Sequence, residues 1–79
     1  MESAMAAYRK AVEINPSDAD AHRGLGIVYM SQYVRNGSDT ALRDKALAEW
    51  HASLEIRPNQ ADLMALVRKY SEQHREPNL

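Results

Sequence analysis

The apolar residues of this chain recur every three or four positions, rather than at every second position as in a strand. This spacing places them along one face of a helix. Proline disfavours helical geometry in the residue before it, so Asn15-Pro16 and Arg57-Pro58 each end a helix. Asn36-Gly37 separates two further helical stretches. The pattern predicts no strands and four helices, over residues 3–14, 18–35, 39–56 and 60–74.

Short polar residues stand where the helices are predicted to begin. Ser17 is expected to cap the second helix, and Asp20 adds negative charge to its first turn. Asn59 and Asp62 repeat this arrangement at the start of the fourth helix. We therefore expect antiparallel helices joined by short turns.

One helix boundary occurs twice in the sequence, as EINPSDAD over residues 13–20 and as EIRPNQAD over residues 55–62. The helix before each boundary also keeps its spacing. An alanine stands four positions before an aromatic residue in both copies, as Ala4 before Tyr8 and Ala46 before Trp50. These correspondences predict a structural unit that repeats after 42 residues, the interval from position 16 to position 58.

A longer motif lies between the two copies, and it reads His22-x2-Leu25-Gly26-x2-Tyr29, then Ala46-x3-Trp50, then Pro58. It resembles the tetratricopeptide repeat, whose pattern is W-x2-L-G-x2-Y, then A-x3-F, then P. Two positions depart from that pattern, because histidine replaces the tryptophan and tryptophan replaces the phenylalanine. The resemblance covers half a repeat (3–16), one full repeat (17–58) and a further half (59–74). It implies an all-α fold of antiparallel helical hairpins, as in an α-solenoid.

The repeat is eight residues longer than the 34 residues usual in this family. The additional residues lie between Tyr29 and Ala46, and eight residues make about two helical turns. Tyr33 and Leu42 each extend the apolar stripe of their own helix by about one turn, and we expect them to meet. This favours a lengthened helical hairpin over a flexible insertion, because only residues 36–39 have turn chemistry.

The two ends of the repeat array are expected to differ. Arg68 occupies the position in the fourth helix that corresponds to Gly26, and arginine cannot take the close-packed place of a glycine. Terminal repeats of solenoids are more polar because their outer face meets water, so we predict that the fourth helix is a capping helix. The first helix resembles the second half of a repeat without its partner. We therefore expect residues 1–79 to form a single domain that is a fragment of a longer array.

Members of the tetratricopeptide family generally hold a partner peptide or helix in a concave groove. The resemblance therefore implies a protein–protein interaction scaffold. The partner-binding positions that it implies lie on the second and fourth helices, and they are Asp20, Arg23, Ile27, Met30, Leu66 and Lys69.

Two of these positions are apolar and lie off the stripe that carries Leu25 and Tyr29. We expect Ile27 and Met30 to form an exposed pair that grips an apolar side chain beside an acidic group, with Arg23 and Lys69 on either side. The alternative is that the pair packs between neighbouring helices.

A different function is also open, in which the unpaired first helix joins copies of the chain into a homodimer or larger homo-oligomer. Its apolar surface around Tyr8 would be the interface. A third hypothesis makes the chain a non-catalytic part of a larger enzyme.

Composition excludes several other classes of function. The chain has no cysteine, which excludes disulfides, thiolate metal ligands and a cysteine nucleophile. Its 10 Lys and Arg nearly balance its 11 Asp and Glu, without the basic stripe of a nucleic-acid binder. No segment approaches the ~20 apolar residues of a membrane span. We therefore expect a soluble chain with no nucleic-acid partner and no membrane insertion; its localisation is unassigned, with the cytoplasm as the default.

No arrangement of side chains indicates catalysis or a bound cofactor. His51 has Glu55 four residues later, but Ser53 points to another side of the helix, so no nucleophile faces a base. His22, near Asp18, is interpreted as a residue at the edge of the core. The three histidines lack the i, i+4 pairing of a helical zinc site, and no glycine-rich phosphate loop occurs. The sequence predicts a non-enzyme with no cofactor and no metal.

Overall fold

The computed structural model describes residues 2–74. Within them the chain forms four helices, which are α1 (Glu2–Ile14), α2 (Ala19–Arg35), α3 (Thr40–Ile56) and α4 (Ala61–His74). Each begins within one residue of the start expected from the sequence, and no strand occurs in this part of the chain. The prediction of an all-α fold of packed helical hairpins is confirmed. No helix in the same range is both long and apolar enough to cross a membrane.

Helices α2 and α3 form the central hairpin, with α1 packed against α2 and α4 packed against α3. The core between α2, α3 and α4 contains four buried apolar residues, which are Met30, Ala46, Trp50 and Leu63. Trp50 is 2% exposed, and its ring centroid lies 6.3 Å from that of Tyr70. Its indole Nε1 donates a hydrogen bond of 3.3 Å to the backbone carbonyl of Arg23. Trp50 therefore connects all three helices.

The crossing of α2 and α3 is tight at Gly26. A Cβ added there would overlap the Trp50 ring and would lie 3.0 Å from the backbone oxygen of Ala46. The absence of a side chain at Gly26 therefore lets the indole lie directly on the backbone of α2. Protein interiors pack at crystal-like density, so one methyl group matters at such a contact.

Buried polar groups fix the ends of three helices relative to one another. Ser53 is fully buried, and its hydroxyl donates to the carbonyl oxygen of Ala19 at 2.8 Å. The side-chain amide of Gln60 donates to the Ser53 hydroxyl at 3.1 Å and to the Arg57 carbonyl at 2.8 Å. These bonds satisfy polar groups that burial would otherwise make costly. They join the start of α2, the end of α3 and the start of α4.

The lengthened hairpin is helical on both sides of its turn. Helix α2 continues to Arg35 and α3 begins at Thr40. Arg43 is 4% exposed, and its guanidinium lies 5.7 Å from the centroid of the Tyr33 ring and donates to Asp44 at 3.2 Å. Leu42, the neighbour expected from the sequence, is only half-buried. Arginine can be buried here because its aliphatic stem covers apolar surface while its charge stacks on a ring.

The N-cap of α2 is Asp18, so the expectation that Ser17 caps this helix is wrong. The Asp18 carboxylate accepts a hydrogen bond of 3.1 Å from the backbone N–H of Ala21. The N–H of Ser17 instead donates to the side-chain oxygen of Asn15 at 3.1 Å. This side-chain turn around Pro16 moves the start of the helix one residue along the chain.

Replacing Gly26 by alanine is predicted to destabilise the fold by about 1–3 kcal/mol, because the new methyl group overlaps Trp50 and the backbone of α3. The free energy of unfolding should fall even though alanine has a higher helix propensity than glycine. Urea unfolding followed by circular dichroism measures the change. Gly37→Ala is the matched control, since no atom lies within 4 Å of a Cβ at that position. Equal stability of the two variants would contradict the tight crossing.

Candidate functional site

Two neighbouring cavities open on either side of α2. The α1 cavity, of about 490 Å³, lies between α1 and α2, and its lining residues are Ala4, Met5, Tyr8, Gly24, Ile27, Val28, Ser31, Gln32 and Arg35. The α4 cavity, of about 400 Å³, lies between α2 and α4 above Trp50, and its lining residues are Ile27, Met30, Ser31, Val34, Arg35, Trp50, Leu66 and Tyr70. Apolar side chains dominate both linings.

Three residues of α2 line both cavities, and they are Ile27, Ser31 and Arg35. They are spaced four apart, which places them along one face of the helix. All three are exposed, and Ile27 is 47% exposed. They form a ridge between the two cavities, and we call the cavities and ridge together the α2 groove.

The walls of the groove are held by close packing. A Cβ at Gly24 would overlap the ring of Tyr8, so the tyrosine lies directly on α2 at the α1 cavity. On the other side, Trp50 forms the floor of the α4 cavity and packs against Tyr70 of α4. The shape of the groove is therefore set by the helix packing itself.

The apolar positions expected from the sequence differ in their exposure. Ile27 lines both cavities, and Leu66 lines the α4 cavity. Met30 is only 4% exposed and belongs to the core, so the expectation of an exposed Ile27–Met30 pair is wrong for Met30. It packs between neighbouring helices, the alternative that the sequence left open, although its surface reaches the α4 cavity. The exposed apolar neighbour is instead Val34, which is 63% exposed.

The polar positions expected from the sequence are engaged within the chain. Arg23 donates to the carboxylate of Asp62 at 2.5 Å and to the side-chain oxygen of Gln60 at 2.9 Å. Asp20 accepts a hydrogen bond of 2.9 Å from Arg57. Hydrogen bonds from Arg23 and from the backbone of Leu63 lower the pKa of Asp62. These contacts connect α2 to the start of α4 and the end of α3, and neither Asp20 nor Arg23 lines the α1 cavity or the α4 cavity.

Two cations remain near the groove. The ammonium group of Lys69 lies 5.4 Å from the centroid of the Tyr70 ring, at the edge of the α4 cavity. Arg35 lines both cavities and makes no ion pair with any side chain of residues 4–71. The sequence pattern did not identify Arg35 as a groove residue, because a basic residue before Asn-Gly is typical of a helix end. Its position two turns after Ile27 does indicate that the two residues lie on the same face of α2.

His22 bridges the α1–α2 turn and α3. Its Nδ1 lies 2.7 Å from a carboxylate oxygen of Glu49, and its Nε2 lies 2.8 Å from the carbonyl oxygen of Pro16. Both neighbours are acceptors, so only the doubly protonated ring can donate to both. Partial burial lowers the pKa of His22, but the bonds to Glu49 and Pro16 outweigh this effect and raise the pKa overall. The imidazole ring therefore connects the α1–α2 turn to α3. No cluster of three or more metal-ligating side chains occurs among the described residues.

Comparison with known proteins gives two matches. A family model described as "TPR repeat" matches residues 1–32, which include α1 and most of α2. The chain is also 34% identical over 71 residues to the type IV pilus assembly protein PilF of Pseudomonas aeruginosa. The aligned region covers 90% of this chain and 28% of that protein, so the chain spans little more than a quarter of its relative's length. No solved structure gives a significant match.

The His22 bridge predicts a pH-dependent stability. Because the folded state raises the pKa of His22, the stabilisation is fully present below the unfolded pKa, about 6.5, and is lost as pH rises through the folded value. The free energy of unfolding should fall by on the order of 1 kcal/mol between pH 5.5 and pH 8.5. Chemical denaturation at each pH measures it. His22→Gln should abolish the dependence, whereas His51→Gln, at an exposed position, should retain it.

Proposed function

We propose, because this chain belongs to the tetratricopeptide repeat family, that it is a scaffold module that binds a protein partner in the α2 groove. Repeats of this family are in general protein–protein interaction scaffolds, and typically non-catalytic ones. The observation that carries the proposal is the exposed Ile27 between two apolar cavities. An exposed apolar residue beside well-formed cavities is typical of an interaction site.

The energetics support this use of the groove. Ile27 and Val34 remain 47% and 63% exposed, so a partner that covers them removes apolar surface from water. Each cavity, at about 400 or 490 Å³, has room for a large apolar side chain. The walls are parts of packed helices, so little conformational entropy is lost when a partner binds. Affinity then depends mainly on the side chains that the partner inserts.

The similarity to a type IV pilus assembly protein extends the proposal to a biological setting. We infer that the partner of the α2 groove is a protein that takes part in assembling such a structure. The aligned part is about a quarter of that relative. We therefore propose that the chain acts in such assembly as one module among others.

Homo-oligomerisation is a second candidate, and the environment of α1 favours it. In the described residues α1 packs against α2 alone, whereas α3, its counterpart in the repeat, packs against both α2 and α4. Ile14 at the end of α1 is 75% exposed. A second copy that packs against α1 would remove Ile14 from water. Tyr8 is not a selective probe of this interface, because it also lines the α1 cavity.

The groove proposal predicts that Ile27→Glu abolishes peptide binding without unfolding the chain. A random peptide library is selected on the wild-type protein, and the affinities of the selected peptides are then measured for each variant. Ile27→Glu should weaken them more than tenfold, because a charge would be buried without a partner. Met64→Glu is the matched control, since Met64 is 48% exposed and lines neither cavity. Equal affinities for the two variants would rule out the groove.

The oligomerisation proposal predicts a mass that depends on concentration. Light scattering over a hundredfold dilution should show dimers or larger species that dissociate. Ile14→Glu should shift this equilibrium to the monomer, because it places a charge in the apolar interface, and should leave groove binding unchanged. A constant monomeric mass for the wild-type chain would exclude self-assembly.

A further inference from the structure

We propose that Asn36 is a site of spontaneous deamidation, at which the backbone nitrogen of Gly37 attacks the side-chain amide and water then leaves an aspartate or an isoaspartate. The site lies in the turn that joins α2 to α3, after Arg35 and before Thr40. The reaction needs no enzyme and no partner, so it is independent of whether the α2 groove binds a protein.

The reaction is a ring closure followed by hydrolysis. The nitrogen of Gly37 forms a bond to Cγ of Asn36, the bond from Cγ to Nδ2 breaks, and the proton of the Gly37 N–H leaves with the amide group as ammonia. Water then opens the cyclic imide at one of its two carbonyl carbons, which gives aspartate or isoaspartate. One water molecule is consumed and one ammonia is released, and no group is oxidised or reduced.

The nucleophile is accessible in this turn. Asn36, Gly37 and Ser38 are all exposed. The N–H of Gly37 donates no hydrogen bond to the described part of the chain, whereas the N–H of Asn36 donates to the carbonyl oxygen of Gln32 at 2.9 Å. No atom lies within 4 Å of a Cβ placed on Gly37, so the turn has room to rotate into the geometry of the ring.

The electrophile is polarised by a hydroxyl group. The Oγ of Ser38 donates a hydrogen bond of 3.1 Å to the side-chain oxygen Oδ1 of Asn36. This bond draws electron density away from Cγ, and it stabilises the negative charge that collects on Oδ1 when the nitrogen adds to the carbonyl. Three consecutive residues therefore supply the electrophile, the nucleophile and a donor to the developing oxyanion.

The other asparagines in the described part of the chain lack this combination. Asn15 is followed by Pro16, whose nitrogen carries no proton that it could lose. Asn59 is followed by Gln60, which is only 6% exposed and whose N–H is engaged in a hydrogen bond of 2.9 Å. The residue that follows each asparagine thus makes the difference.

The product changes the charge at the end of α2. A carboxylate at position 36 lies beside the negative end of the helix dipole, where an anion is unfavourable, and Asp39 of the same turn has the same sign. An isoaspartate also lengthens the backbone at the residue whose carbonyl oxygen accepts from the N–H of Asp39 at 3.1 Å. Neither Asn36 nor Gly37 belongs to the buried core, so the modified chain should stay folded with a loosened turn.

The test follows the folded full chain during incubation at neutral and at mildly alkaline pH. Peptide mapping by mass spectrometry detects the mass increase that accompanies replacement of an amide NH₂ by OH, with Asn36→Asp as the standard for one product. Asn36 should convert at least several-fold faster than Asn59. The rate should rise with pH, because the attacking nitrogen must lose its proton.

Two variants test the assigned roles. Gly37→Ala should slow the conversion several-fold, because a Cβ hinders attack; the substitution fits the fold, since φ of Gly37 is not positive and the space is open. Ser38→Ala should slow it by a smaller factor, because the hydrogen bond to Oδ1 is lost. Thr40→Ala is the matched control, which removes an exposed hydroxyl outside the turn and should leave the rate unchanged. Circular dichroism checks that each variant is folded.

Several results would overturn the proposal. Conversion of Asn59 as fast as that of Asn36, or an unchanged rate in Gly37→Ala, would show that the turn is not a selective site. Conversion of Asn36 only in urea would show that the folded turn protects it. Equal rates for Ser38→Ala and Thr40→Ala would remove the hydroxyl from the reaction.

Discussion

The contact between the Trp50 indole and Gly26 is the constraint on which the rest of the structure depends. It sets how closely α2 and α3 approach, because a single methyl group at Gly26 would overlap the ring. The same indole forms the floor of the α4 cavity and packs against Tyr70. The packing of the core and the shape of the groove therefore depend on the same side chain, and a change that moves Trp50 alters both.

Most of the charged groups around α2 pair with one another, and a few lie beside the groove. Arg23, Asp62, Asp20 and Arg57 form pairs that connect the ends of helices, and His22 connects the α1–α2 turn to α3. These groups satisfy one another, so they add little net field for a ligand. Arg35 lines both cavities, and the ammonium group of Lys69 lies over the ring of Tyr70 beside the α4 cavity.

Sequence reasoning placed the elements closely because their signals are local. Pro16 and Pro58 stop helices through backbone sterics, and the motif around Gly26 indicates a close helix crossing. The site was harder to predict. Met30 has the apolar character of a groove residue, yet its burial depends on where Trp50 and Leu63 pack, which helical periodicity does not specify.

The sequence by itself determined an all-α chain of four helices and its similarity to the tetratricopeptide repeat, because helix limits and motif spacing can be seen directly in the order of the residues. Only the tertiary structure decided which polar groups are free. Arg23 and Arg35 look equivalent along the chain, but Asp62, thirty-nine residues away, neutralises the first. Ion pairing between distant residues depends on how the helices pack against one another, and local sequence patterns do not specify that packing.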